Sequence, residues 1–218
     1  MSNANGKAAE QQPADARVYV VDDDPLVRSA LTRMFIAHRL HVVACEHARD
    51  FLECALTEEP SCLVLDVKMP ELSGIELQEE LVRRNVDLPI VFLTGHGDIP
   101  MTVRAMRLGA VDFLTKPVDP DQLCTTVRNA IEKHRERRAE SAGLREFRQR
   151  AETLSARERQ VMNLAVNGLL NKQIASHLGI TLRTVKEHRG QVMRKTGVQS
   201  IAELARLCER AGIVAGLK

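Results

Sequence analysis

From Val18 onward, short apolar runs ending in acidic or polar residues alternate with stretches in which apolar residues recur every three or four positions. The runs 18–21, 41–44, 62–65, 90–93 and 111–114 predict strands. Segments 25–38, 48–58, 74–85 and 99–108 predict helices, and a fifth helix opens near Asp121. In the first helix Val27, Leu31, Met34 and Phe35 share one face. Three strands read VYVV, CLVL and IVFL, apolar on both faces, which requires a parallel sheet covered by helices on each side. Five βα units predict a small doubly wound α/β domain, in which ligands bind outside the carboxyl ends of the strands.

After Val127 the pattern changes to RNAIEKHRERRAESAGLREFRQRAE, rich in charge and helix formers and poor in apolar surface. It reads as an extension of the fifth helix, weakened by like charges at Glu132, Glu136 and Glu140 and broken at Gly143. From Leu154 to Lys218 helical periodicity returns, punctuated at Asn167-Gly168, Leu178-Gly179 and Thr196-Gly197-Val198. Four short helices and no strands are expected there. The predicted fold class is therefore α/β plus all-α: a flexible tail over 1–16, a (βα)5 domain over 17–131, a helical linker over 132–152 and a helical domain over 153–218.

Composition supports this division and restricts function. A chain of 218 residues is long for one ordinary domain. Aromatics are 3% with no Trp, so Leu, Val, Ile, Ala and Met must fill the cores. No apolar run approaches the roughly 18 residues needed to span a bilayer, and the first 16 residues lack an apolar leader segment, so a cytoplasmic protein without a membrane partner is expected. Five cysteines without a CxxC pattern or a nearby His at ligand spacing argue against a disulfide or zinc framework. The net charge of +2 on its face disfavours a nucleic-acid partner, but it is unevenly distributed. Residues 1–125 hold 12 basic against 20 acidic side chains, −8; residues 126–152 hold 8 against 5, +3; residues 153–218 hold 11 against 4, +7. An acidic domain precedes a basic one.

The strand ends carry the candidate chemistry. The first ends in Asp22, Asp23 and Asp24, the third in Asp66, the fourth in Thr94, and the fifth in Thr115 and Lys116. Crowded carboxylates repel unless a cation offsets them, and a hard oxygen-liganded ion such as Mg2+ suits them. Beside such an ion Asp66 can act as a nucleophile towards a phosphoryl group, with Lys116 as a fixed positive partner and Thr94 as a hydroxyl donor. Asp24, standing before Pro25, is read as a helix cap instead. Lys116 taken alone would be an ordinary surface lysine.

These residues resemble the receiver domains of bacterial two-component response regulators over about Arg17 to Ile131. VVDDDP, LVLDVKMPELSGIEL and FLTGHGDIPMTVRAMRLGAVDFLTKP carry the resemblance, and the last is most similar to the FixJ-like subgroup. The resemblance implies that a sensor histidine kinase phosphorylates Asp66. It also implies that Asp22, Asp23, Asp66 and the backbone carbonyl of Lys68 hold the metal, that Thr94 and Lys116 bind phosphoryl oxygens, and that a cis bond precedes Pro117. Phe113 matches the aromatic switch position, although a plain core or surface aromatic is the other reading of it. A rival reading is an Asp-nucleophile phosphohydrolase of the haloacid-dehalogenase type. That pattern has a second Asp two residues after the nucleophile, where this chain has Lys68.

In the basic domain, 171–177 and 182–196 read as two helices joined by Leu178-Gly179-Ile180-Thr181, with Gly179 ending the first and Thr181 capping the second. This is helix-turn-helix spacing. Winding the second helix places Val185, His188, Val192 and Thr196 on one stripe and Arg183, Glu187, Gly190 and Arg194 on the other, flanked by Lys186. The second stripe can reach base edges and phosphates, while Lys172 and Thr184 are expected at phosphates. Gly190 allows close approach to a groove or is a tolerated gap; Glu187 reads a cytosine amino group or repels phosphate. LSARERQVMNLAVNGLLNKQIASHLGITLRTVKEHRGQVMRKTGVQSIAEL resembles the LuxR-type helix-turn-helix of NarL/FixJ response regulators.

Together the two resemblances imply a non-enzymatic, phosphorylation-switched regulator that performs only its own phosphorylation and dephosphorylation. Its partners would be a sensor histidine kinase, double-stranded promoter DNA, a second copy of the chain on phosphorylation, and RNA polymerase. A phosphorylation-independent regulator whose receiver serves only for docking is the alternative.

Overall fold

The structure is a computed structural model describing residues 16–95 and 99–213. The chain divides into two compact units, Met1–Arg138 and Ala139–Lys218. The first contains strands β1 (Arg17–Val21), β2 (His41–Cys45), β3 (Ser61–Asp66), β4 (Ile90–Thr94) and β5 (Asp112–Thr115). They form one parallel sheet in the order β2-β1-β3-β4-β5. β1, β3 and β4, the runs that are apolar throughout, occupy its centre. Helices α1 (Pro25–Ala37), α2 (Ala48–Glu53), α3 (Gly74–Arg83) and α4 (Ile99–Arg107) alternate with the strands, and α5 (Pro120–Glu152) follows β5.

Strand alternation divides the apolar side chains between two cores. Val18, Val20, Val64, Val91 and Leu93 face Leu31 and Phe35 of α1 and Leu123, Val127 and Ile131 of α5. Tyr19, Val21, Leu63, Leu65 and Phe92 face Phe51 of α2, Leu77 of α3 and Ala105 of α4. Removing each such large side chain from water contributes about 1.5–3 kcal/mol. Helix starts are capped as their sequences require. Asp24 accepts from the Leu26 and Val27 N–H groups ahead of Pro25, and Ser73 and Glu76 form a reciprocal capping box at α3.

Two features differ from the sequence expectation in this unit. Ala16, counted with the tail, is 2% exposed, and its carbonyl accepts from the His41 N–H. The remainder of the expected tail, 1–15, lies outside the described residues, as do 96–98 of the TGHGDIP motif and 214–218 of the helical domain. Helix α2 ends at Glu53 rather than near Glu58, because Cys54 turns to an extended ψ of 133°.

Helix α5 runs unbroken through Gly143, where a break was expected. A single helix-interior glycine carries a propensity penalty of only about 1 kcal/mol, and packing on either side overrides it. His134 is 2% exposed, with Nδ1 3.0 Å from the Ser61 nitrogen and 2.9 Å from the Ser61 carbonyl oxygen. Arg137 pairs with Asp87 and Arg138 with Glu58. Beyond residue 138 the helix contributes Phe147 to the core of the second unit, with the half-buried Leu144 packed against it. The segment read as poor in apolar surface is therefore packed where its few apolar residues fall.

The second unit also contains α6 (Ala156–Val166), α7 (Asn171–Leu178), α8 (Leu182–Thr196) and α9 (Ile201–Ala211). Phe147, Leu154, Met162, Val192, Leu204 and Cys208 form one cluster; Val161, Leu164, Ala165, Ile174 and Val185 form a second. Glu158 joins α6 to α8 by accepting from Lys195 Nζ at 2.7 Å, while its carboxylate also accepts from the Ser155 N–H.

Candidate functional site

Parallel pairing in near-equal register brings the carboxyl ends of β1, β3, β4 and β5 to one edge, where Asp22, Asp66, Thr94 and Lys116 collect. Lys116 Nζ donates to Asp22 Oδ2 at 2.7 Å and stands 3.3 Å from Asp66 Oδ1. The second approach is an ion pair without hydrogen-bond alignment, so the buried Asp66 Oδ1 accepts no hydrogen bond. Asp22 Oδ1 accepts the Asp24 N–H at 3.0 Å. Asp22, Asp66 and Thr94 are buried, Asp23 is half-buried, and the Lys68 side chain is exposed.

Burial pushes the Asp66 carboxyl above its ordinary value; the Lys116 charge works against this, and the Asp22 charge adds to it. For Lys116 burial favours the neutral amine, yet its bond to Asp22 and the charges of Asp22 and Asp66 outweigh burial and raise its pKa. The lysine is therefore a permanent cation between two acids. Carboxylate oxygens of Asp22, Asp23 and Asp66 can all lie within 4.8 Å of one another. Three such acids, one with an oxygen lacking a hydrogen bond, suit a hard divalent cation.

Thr94 is 1% exposed at the end of β4, and its carbonyl accepts the Lys116 N–H at 2.7 Å. The Lys116-Pro117 bond is cis, as the family pattern implied. Phe113 is half-buried, its ring centroid 5.8 Å from that of Phe92, and it packs with the cluster that includes Ala105 of α4 rather than among the acids.

Sequence reasoning missed two supporting residues. Arg28 donates to the Asp22 carbonyl at 2.7 Å and pairs with Glu46, holding the acidic turn from α1. No spacing pattern announces it. Gly74 packs against the Asp66 carbonyl so closely that a Cβ would stand 2.2 Å from the oxygen. Its position after Ser73 in a capping box was the available signal.

In the second unit, α7 and α8 meet through a turn in which Gly179 adopts φ +63° and Thr181 caps α8 by accepting the Thr184 N–H. Val185, Val192 and Thr196 are buried, as the winding predicts, while His188 is only half-buried. Arg183, Lys186, Glu187, Gly190 and Arg194 are exposed on α8 and Lys172 is exposed on α7. Arg183 Nε donates to Glu187 at 3.0 Å. Thr184 is half-buried, its hydroxyl 2.9 Å from that of Thr181. Arg189, absent from the sequence candidates, donates to Asn171 Oδ1 at 2.6 Å and ties α8 to α7.

A receiver fold with its acidic pocket, followed by a basic helix-turn-helix unit, defines a transcriptional response regulator. Residues 18–128 match the response regulator receiver domain, and residues 152–208 match the bacterial regulatory proteins of the luxR family. The chain belongs to the response regulators of the NarL/FixJ family. It is 48% identical over 200 residues to Nodulation protein W of Bradyrhizobium diazoefficiens, covering 92% of this chain and 88% of that protein. It is 40% identical over 201 residues to the transcriptional regulatory protein FixJ of Azorhizobium caulinodans, covering 92% and 95%. The solved structure of the response regulator StyR superposes with a TM-score of 0.79 at 44% identity, over 90% of this chain and 99% of that one. The two domains imply a histidine kinase upstream and DNA downstream. No helix among the described residues is long and apolar enough to cross a membrane.

Proposed function

We propose that Asp66 accepts a phosphoryl group from a sensor histidine kinase and that this modification drives homodimer formation and promoter binding. The observation that carries the reading is Lys116, poised 2.7 Å from Asp22 and 3.3 Å from Asp66. An Asp66 oxygen attacks phosphorus as the bond to the kinase imidazole breaks, and Lys116 and Thr94 receive the phosphoryl oxygens. Mg2+, held by Asp22, Asp23, Asp66 and the Lys68 carbonyl, supplies neutralisation of charge on the phosphoryl oxygens when bound. Thr94 moves inward toward the new acceptor oxygens and Phe113 repacks, altering the face formed by α4 and β5.

Dimerisation pairs two weak DNA contacts and raises the effective concentration of the second. Lys172 and Thr184 contact phosphates; Arg183, Lys186, Glu187, Gly190 and Arg194 present the reading surface, and the bound dimer meets RNA polymerase. The chain is not a turnover phosphatase, since Lys68 stands where a general acid/base Asp would be needed.

Incubation with Mg2+ and acetyl phosphate, read by intact-protein mass and size-exclusion chromatography, tests the reading. Wild type should gain one phosphoryl group and shift towards dimer, and Asp66→Asn should do neither. Phosphodonor-dependent dimerisation of Asp66→Asn would overturn the assignment and favour a phosphorylation-independent regulator. Repeated turnover of p-nitrophenyl phosphate would overturn the non-enzymatic reading.

A further inference from the structure

Cys45 closes β2 and Cys54 caps the C-terminal end of α2, and their sulfur atoms lie 3.8 Å apart. Cys45 is 7% exposed and Cys54 is half-buried, so one thiol of the pair is open to small reagents while the other is screened. The remaining three cysteines are buried: Cys62 and Cys124 in the receiver core, and Cys208 against the Met162 sulfur. We propose that Cys45 and Cys54 form a reversible disulfide through exchange with a low-molecular-weight disulfide.

Bond formation requires the sulfurs to close from contact to about 2.05 Å. The surrounding elements are ones able to yield. β2 is an edge strand of the sheet, α2 has only 6 residues, and Cys54 already has extended dihedrals as the chain leaves the helix. Edge strands and short helices lie at the low-stability end of a domain, where small displacements meet little resistance.

Exposure sets the order of the two exchange steps. The Cys54 thiolate attacks glutathione disulfide, forming a mixed disulfide and releasing one glutathione thiolate. The Cys45 sulfur, losing its proton as it attacks, displaces the second glutathione from Cys54. Two protein thiols become one S–S bond, while one small disulfide becomes two thiols. Burial and the adjacent Cys54 sulfur push the Cys45 thiol up to about 12, which makes it the resolving rather than the entering group. Contact with Cys54 compensates for its low thiolate fraction by making the second step intramolecular. The bridge would also adjoin the acidic pocket, because the Cys45 carbonyl accepts the Asp22 N–H at 3.4 Å.

The full-length protein is to be incubated with glutathione disulfide under native conditions, quenched with an alkylating agent in denaturant, and digested for mass spectrometry. Wild type should lose two of its five alkylatable thiols and yield one linked peptide pair containing Cys45 and Cys54, reversed by dithiothreitol. Cys45→Ser should stop at a glutathione adduct on Cys54, and Cys54→Ser should leave Cys45 reduced. A wild type that retains all its thiols, stops at the Cys54 adduct, or links a different pair would overturn the proposal. The wild-type result is decisive even if either variant folds poorly.

Discussion

A methyl group on Gly74 would stand 2.2 Å from the carbonyl oxygen of Asp66, so the first residue of α3 is packed directly onto the candidate phosphoacceptor. Gly74→Ala must displace either the β3 terminus or the helix. It should destabilise the receiver by about 1–3 kcal/mol and slow phosphoryl uptake from acetyl phosphate. Urea unfolding and time-resolved mass measurement check both effects; unchanged stability would show that the helix shifts freely.

Removing Phe147 distinguishes a helix that merely spans the two units from one that is part of the second core. The side chain is 3% exposed and packs with Leu154, Met162 and Val192. Phe147→Ala should lower the stability of the C-terminal unit by about 3–5 kcal/mol and leave receiver phosphorylation intact. Calorimetry of the full-length variant should show one transition moving to lower temperature.

His134 links receiver stability to pH. Burial holds its imidazole below the ordinary histidine value in the folded protein, with the Ser61 carbonyl opposing the shift. As pH falls below about 6.5 the unfolded chain takes up a proton that the folded chain refuses, so this contribution to stability declines until the lower folded pKa is reached. Above that window the imidazole is neutral in both states and contributes no slope. Urea melts of wild type and His134→Asn at pH 7.5 and 5.5 should show the smaller acid-induced loss in the variant.

On the DNA side, Arg194 and Glu187 should fail differently. Arg194→Ala should weaken binding across sequences and, if it neutralises one phosphate, reduce the slope of log affinity against log salt by about 1. Glu187, held by Arg183, faces the same surface with opposite charge. Glu187→Ala should relax base preference at one half-site position, as measured by selection from a randomised duplex pool. A uniform gain in affinity without altered preference would assign Glu187 to phosphate repulsion instead.

The Glu158–Lys195 contact joins a helix cap to an ion pair. Hydrogen bonds from Lys195 and the Ser155 backbone hold the Glu158 carboxyl below its usual range. Its contribution is present above the unfolded carboxylate value and lost as pH falls through the lower folded one. Glu158→Ala should cost the C-terminal unit about 1 kcal/mol at neutral pH, with Glu158→Gln intermediate because it keeps the cap.

The sheet and the strand-end residues were legible in the sequence because both follow from local pattern. VYVV, CLVL and IVFL require burial on two faces, and a parallel sheet then places every strand terminus on one edge, so Asp22, Asp66, Thr94 and Lys116 could be grouped before any distance was known. The buried and exposed stripes of α8 followed from helical winding for the same reason, with His188 at their margin. What stayed hidden depends on separations across the fold. Arg28 reaching the Asp22 carbonyl, Gly74 against Asp66 and the Cys45–Cys54 contact carry no periodic signal.

Helix α5 shows the boundary between the two kinds of information most clearly. Its composition marked it as a charged linker with a break at Gly143, since local propensity is all that such a stretch displays. His134, Leu144 and Phe147 determine its real allegiance: the earlier part belongs to the receiver and the later part to the helix-turn-helix core. The sequence by itself determined the order of elements, the edge at which chemistry gathers and the opposing charges of the two units, because periodicity and side-chain type are local properties. Only the tertiary structure decided which side chains meet, because contacts distant along the chain depend on how the packed elements approach one another.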